Sequence, residues 1–470
     1  MREVATALHR FGLGGRGDEA APGDPRAWLT AQLKAYDPAP AALAALPRTP
    51  ALVTMLAEAQ DDRRERRDEK KAAATTPEAQ MPQPQQAGTV PAPYRELRDQ
   101  YVAAVAARTG VALASAAPFA ERLVHFWANH FAVSIDKIAV VGLAGDLEFT
   151  AIRPHVMGSF RAMLSAVERH PAMLLYLDQA QSVGPDSPLG GRAAQRGRER
   201  GLNENLAREI LELHTLGVRS GYGQADVTEL ARALTGWTVG GLARQPILRG
   251  PGPGFWFAAP IHQPGARTIL GKRYSQSGEA QAQAVLDDLA VHPATARHIA
   301  TKLARHFAAD DPPPALVARL EAAFLKTGGD LPSLYRVLIA APEVWSGPAK
   351  FRTPWEWSLA ALRATGVKAL PGATAAGAFQ QLGQPIWRPG SPAGYDDIAA
   401  SWAGPDALYR RVEVAQRIAK RTAPAIDARR LAAQLFPGAL SAATSDALAR
   451  AESGEQALAL LLVSPEMLRR

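Results

Sequence analysis

The stretch AAPFAERLVHFWANHFAVS, residues 116–134, sets Leu123, Phe126, Trp127 and His130 at i, i+3, i+4 and i+7. That spacing is one core-facing stripe of an α-helix, and it turns the His130 imidazole inward. The helical period recurs on both sides of this segment. Before it, the period runs over 4–11, over 25–36 with Trp28, Leu29 and Leu33 in one row, and over 50–59. After it come PHVMGSFRAMLSAVERHPAMLLYLD (154–178), in which Pro171 interrupts a helix, and helices over 281–289, 293–307, 314–325 and 331–340. In the 293–307 segment Ile299, Leu303 and Phe307 are in register. One segment breaks the pattern. In GPGPGFWFAAPIHQPGARTILGKRY (250–274), Phe255 and Phe257 alternate around Trp256, and a Pro264-Gly265 turn precedes Thr268-Ile269-Leu270. These periods give an all-α fold class with a minor β-hairpin near 255–271.

Length and composition agree with a large core. Of 470 residues, 47% are hydrophobic and 21% charged, which excludes wholesale disorder. The absence of cysteine removes disulfides, zinc–thiolate sites, iron–sulfur clusters and thiol nucleophiles. No run approaches eighteen apolar residues, and MREVATALHRFGLGG lacks the layout of a secretory signal, so no membrane span is expected. As written the chain reads as soluble and cytoplasmic, and as exported if the true start lies upstream. A net charge of +8 permits a polyanionic partner, but the arginines are scattered and no recognition module accompanies them, so no nucleic acid is expected.

Four regions are expected: a helical segment over 1–60, a linker over 61–93, a helical core over 94–350, and a helical region over 351–470 packed on that core. The linker opens with DDRRERRDEKK (61–71), a solvated helix end, and continues over 72–93 as a Pro- and Gln-rich flexible excursion.

The most informative polar pattern is NENLAREILELHTLG (203–217). Leu206, Ile210 and Leu213 form an apolar stripe, with Asn205, Glu209 and Glu212 beside it at i, i+4 and i+7. Packed against the 116–134 helix, that row would meet His130 in a partly dry space, where a carboxylate needs a cation, an arginine or a protonated neighbour. His130, Glu209 and Glu212 are therefore the catalytic candidates. With Asn205 the same three are candidate ligands for a divalent metal. The alternative is plain structure, in which Arg208, Arg232 or backbone amides pair with the carboxylates and His130 donates one hydrogen bond in the core. Glu204 and Arg208 form a surface pair four residues apart. His214 leaves on the other flank of the stripe, while His125 and Asn129 face solvent or another helix. Asp226 and Glu229 read as a helix start. His262 is either an exposed turn histidine or part of a pocket rim with Trp387 and Tyr395. VGPDSPLGGRAAQRGRERG (183–201) is a loop whose Arg192, Arg196, Arg198 and Arg200 are solvated or close over the neighbouring site. No G-x-S-x-G elbow, phosphate-binding loop or dinucleotide fingerprint occurs.

RFGLG (10–14), FWANHFAVS (126–134), HPAMLLYLD (170–178), NENLAREILELHTLGV (203–218) and GYGQADVTELARALTGW (221–237) succeed one another along the chain. After them come His262-Gln-Pro-Gly with TILG (268–271), HPATARHIATKLARHF (292–307), FRTPWEW (351–357) and PGSPAGY (389–395). In this order, over nearly the whole length, the set resembles the bacterial domain of unknown function 1800 family. The resemblance implies a large, mostly helical protein, often exported and frequently encoded beside a sulfatase-like protein, and it carries over no catalytic residues. Two positions depart from the usual pattern: Gln263 stands where an Asp commonly comes after His262, and Ala393 where Asp or Asn is common. Both weaken an acid–base role for those loops. Two functions are expected. One is an enzyme of metal-assisted hydrolysis or oxidation centred on His130, Glu209 and Glu212. The other is a noncatalytic binding or assembly partner of the sulfatase-like protein, using the aromatic and basic loops as its contact surface.

Overall fold

A computed structural model describes residues 1–74, 92–197, 201–243 and 245–470. Most of the expected excursion over 72–93, and Arg198 and Arg200 of the basic loop, lie outside the described residues. The protein is all-α with minor β structure. Helix α1 (Pro118–His130) starts on a proline, whose fixed φ suits the first helical turn, and it is buried on nearly every side. Trp127 is fully enclosed because its indole has a partner: Nε1 donates to the Tyr335 hydroxyl (2.8 Å), which donates to the Val156 carbonyl (3.1 Å).

Two helices begin with the same three residues, His-Pro-Ala. Helix α2 (Phe160–Glu168) ends before Pro171, and a new helix, Pro171–Tyr176, starts there with the His170 Nδ1 accepting from the Ala172 amide at 3.1 Å. The second helix of the 154–178 region is thus a restart rather than a kink. His292 does the same for Pro293–Phe307 through Ala294, again at 3.1 Å. The imidazole nitrogen serves where Ser or Asp usually does. Helix α3 (Asn205–Glu209) gives way to a wider, π-type turn over Ile210–His214. Helix α4 (Gln224–Leu234) begins two residues before the expected Asp226, because Asp226 is the third helical residue and closes back on the Gly223 amide at 2.8 Å. The basic loop also contains more order than its glycines suggest, since Pro188–Ala194 is a short helix capped by Ser187.

The β structure is divided between two ribbons. β1 (Trp237–Gly240) pairs antiparallel with β2 (Gly254–Phe257), and β3 (Arg267–Ile269) with β4 (Lys272–Tyr274). Pro264-Gly265 does not close a hairpin. The tight turn is Leu270-Gly271, both at positive φ (51° and 76°), the combination a two-residue hairpin loop requires. Helix α5 (Pro293–Phe307) comes after the ribbons, with Ile299, Leu303 and Phe307 fully buried as their register predicts. Helix α6 (Pro354–Ala364) opens with a capping box between Thr353 and Glu356.

One apolar cluster extends from Ala7 to Trp387, and a second, from Trp357 to Met467, is confined to the C-terminal region. The charged run over 61–71 lies on the exposed far half of the helix Thr49–Ala74. Among the described residues no helix is long and apolar enough to cross a membrane. The first residues are tied to the rest by side chains that their sequence leaves unexplained. Arg10 is buried and donates to the carbonyls of Val344 (2.7 Å), Gly347 (3.1 Å) and Pro348 (2.6 Å). His9 stacks on Phe436 and sits between the Leu435 carbonyl and Arg352. Arg10→Ala is expected to destabilise the protein by about 2–4 kcal/mol, because the buried Val344 carbonyl loses its charged donor and the link to the Gly347 and Pro348 carbonyls is lost with it. Urea unfolding checks this, and a loss under about 0.5 kcal/mol would contradict it.

Candidate functional site

α1 and α5 pack so that their polar rows face each other across a cavity of about 510 Å³. α1 contributes Arg122, His125, Phe126, Asn129 and His130, and α5 contributes His298, Lys302, Arg305 and His306. On α5 the residues 298, 302 and 306 are successive i, i+4 positions, one step round the helix from the core stripe 299, 303 and 307. The start of α6 adds Trp355 and Glu356, and the 384–398 loop closes the far side with Ile386, Trp387, Tyr395 and Asp397.

That loop is held in several places. The Asn129 amide clamps the Tyr395 backbone, donating from Nδ2 to the carbonyl (2.8 Å) and accepting at Oδ1 from the amide (2.7 Å). Gly394 makes the clamp possible, since it sits at φ 82° and a Cβ there would overlap the Asn129 carbonyl oxygen. Trp387 adopts φ 49°, unusual for a bulky residue, and is fixed by its indole donating to Glu148 at 2.9 Å.

The histidines are fixed by backbone carbonyls. The π-type turn leaves two consecutive carbonyls free: Leu213 O accepts from His298 Nε2 (3.1 Å) and His214 O accepts from His130 Nε2 (3.1 Å). His130 Nδ1 is left buried with no hydrogen-bond partner among the described residues. Burial first, and then the nearby Lys302, hold the His130 imidazole well below its ordinary pKa; the same causes bring His298 down to about 4. His214 turns its own ring away, with Nδ1 against Glu168 Oε1 at 2.7 Å, both fully buried.

A charge network forms one wall. Glu356 accepts from Arg122 and from Arg470 Nε (3.1 Å), and Arg470 Nη2 lies 3.0 Å from its other oxygen as an ion pair. Burial alone would raise the Glu356 carboxyl, but Arg470 and Arg122 overcome it and hold the group well below the usual range. His306 Nδ1 lies 2.6 Å from Asp397 Oδ2, and Lys350 Nζ reaches Asp310 Oδ1 and the Asp397 carbonyl, both at 2.7 Å. Burial lowers His306 despite Asp397. Lys302 differs from all of these groups. Its amine lines the cavity with neither a hydrogen bond nor an ion pair among the described residues, and burial brings it down to about 8, with Asp397 opposing and Arg305 assisting.

The candidates read from the sequence divide between this cavity and the surface. His130 is in the cavity wall, and α1 does meet the α3 segment, but through carbonyls rather than carboxylates. Asn205, Glu209 and Glu212 are not part of the wall. Asn205 is exposed, its amide capped by Asn203. Glu212 pairs with Arg208 at 3.5 Å, which also reaches Glu204 at 3.4 Å. Glu209 is half-buried, its carboxyl raised by burial and by Glu212 and Glu168. Among the described residues no three His, Asp or Glu side chains are placed to hold a metal ion. His125 and Asn129 line the cavity, and His125 meets another helix there, its Nδ1 accepting from Trp355 Nε1 of α6 at 3.1 Å. His262 is anchored to the Thr235 carbonyl (2.7 Å) and does not reach Trp387 or Tyr395 in the cavity wall. Gln263 is structural, joined to Asp186 through both ends of its amide. Sequence reasoning misses the cavity residues His298, Lys302, His306, Glu356 and Asp397; the α5 row is the signal that could have found three of them.

The sequence profile of the family described as Protein of unknown function (DUF1800) matches residues 6–469. No curated protein and no solved structure matches the chain.

Proposed function

The chain belongs to the family described as Protein of unknown function (DUF1800), a description that assigns no reaction, and we propose from its cavity that it is an enzyme acting on a small organic molecule held between α1 and α5. The observation that carries this is Lys302: a cavity-lining amine with no partner among the described residues, flanked on its helix by His298 and His306 and facing His130 and Asp397. Lys350, the fully buried lysine beside the cavity, is by contrast paired with Asp310. Apolar walls from Trp355, Ile386 and Trp387 suit the carbon skeleton of a ligand, and the convergent polar groups suit proton transfer. Metal-assisted hydrolysis or oxidation through His130, Asn205, Glu209 and Glu212 would need at least three convergent ligands, which the described residues do not present. A noncatalytic partner of a sulfatase-like protein would use the aromatic loop as a contact surface, yet Trp387 and Tyr395 turn into the cavity.

The test is a thermal-shift screen of small oxo acids, hydroxy acids and aldehydes at pH 7.5. Some compounds are expected to stabilise the wild type and to lose at least tenfold in affinity in Lys302→Met. A screen in which every stabilising compound acts equally on Lys302→Met would remove the cavity as the active site.

A further inference from the structure

We infer that Lys302 is a nucleophile that condenses with the carbonyl group of a small aldehyde, ketone or oxo acid to form an imine. The inference rests on the cavity being the active site and specifies the chemistry performed there. Three observations lead to it. Among the described residues the Lys302 amine has no hydrogen bond or ion pair, so its lone pair is not committed to a structural partner once a proton leaves. Its surroundings favour the neutral form: α5 places Arg305 and His298 near it, α1 places His130 near it, and Asp397 from the loop is the opposing charge. At about 8, roughly one molecule in ten carries the free amine at pH 7, against fewer than one in a thousand for an ordinary lysine. Finally, the chain has only ten lysines among its 53 Lys and Arg, yet a cavity-lining cation with no partner among the described residues is one of them. Arginine would supply the same charge with no nucleophilic nitrogen at any accessible pH.

The step balances without an oxidant or reductant. The Nζ lone pair forms a bond to the carbonyl carbon as the C=O π pair moves to oxygen. The nitrogen gives up a proton and the oxygen takes one, which leaves a carbinolamine. The C–O bond then breaks, the oxygen departs as water with a second proton, and the nitrogen lone pair completes the C=N bond. His306, one turn along α5 and oriented by Asp397, and His130, with its unpartnered Nδ1, are the nearby groups able to exchange these protons.

Two probes test this on the full chain: propanal, uncharged, and pyruvate, anionic. Each is mixed with the protein at pH 7.5 and quenched with sodium borohydride, which reduces an imine already formed to a stable amine and consumes the free carbonyl compound, and the lysine-containing peptides are then mapped by mass spectrometry. With at least one probe, the adduct is expected on Lys302 at ten or more times the level on any of the other nine lysines. In Lys302→Arg, which keeps the charge if Lys302→Met folds poorly, this adduct is lost while the surface background persists. No enrichment at Lys302 with either probe overturns the inference. If compounds from the thermal-shift screen still depend on Lys302 in that case, only the imine fails and the active site stands; if they do not, both fall.

Discussion

Between about pH 6.5 and pH 4 the protein is expected to lose stability steeply, at about 4 kcal/mol per pH unit, and to unfold within that window. The cause is the set of buried neutral imidazoles. His9 is held at about 3, mainly by burial and then by the Arg352 guanidinium that donates to its Nδ1 at 2.8 Å. His125, whose Nδ1 accepts the Trp355 indole, and His130 are also held far below 6.5 by burial first. In the unfolded chain each takes up a proton near pH 6.5, while in the folded chain none does until much lower. The unfolded state therefore binds at least three more protons across this range, with His298, held at about 4, adding to them, and stability falls as pH falls by about 1.4 kcal/mol per unit for each group. Over two units that approaches the whole margin of a typical protein. Urea midpoints measured from pH 8 to pH 4 check the slope: level above pH 7, then falling, with one proton fewer in His9→Gln. A midpoint that stays level down to pH 4.5 would show that these imidazoles titrate normally.

The helices were legible because their core stripes repeat every 3.6 residues, and Leu123, Trp127, Ile299 and Leu303 are buried where that period puts them. The site was half legible for a related reason. The polar row His298, Lys302, His306 sits beside a core stripe, and in sequence such a row cannot be told from a solvent face; only the packing of α1 against it makes it a cavity wall. The expected acidic ladder failed where the period itself fails. Asn205, Glu209 and Glu212 share a face only in an unbroken α-helix. The wider turn over Ile210–His214 changes the rotation per residue and turns the Leu213 and His214 carbonyls toward His298 and His130, while Glu212 keeps the ordinary i, i+4 pairing with Arg208. Glu356 and Asp397 reach the cavity from segments more than 45 residues beyond α5. No local pattern announces that convergence.

Glu356→Gln is expected to cost about 3–5 kcal/mol at pH 7.5, more than Arg10→Ala, although it changes one atom's identity and almost no volume. Glu356 is the shared anion for Arg122 and Arg470, both essentially inaccessible to solvent, and its Oε2 also accepts from the Thr353 amide at 3.1 Å. Glutamine can keep the single bond to Thr353, so the helix cap survives. The charge is lost, and the new NH₂ group points a donor at guanidinium donors that have no alternative carboxylate within the same wall except the more distant Asp397, 3.6 Å from Arg470. Leaving two buried cations short of an anion costs more than the pair contributed when intact, because desolvation is no longer repaid. A partner substitution separates this from a general loss of packing: adding Arg122→Met to Glu356→Gln should recover at least about 1 kcal/mol, since it removes one of the orphaned charges. If the double variant is instead destabilised by the sum of the two single effects, the carboxylate and the guanidinium do not act as a pair, and Arg122 is held by its bond to the Gly12 carbonyl alone.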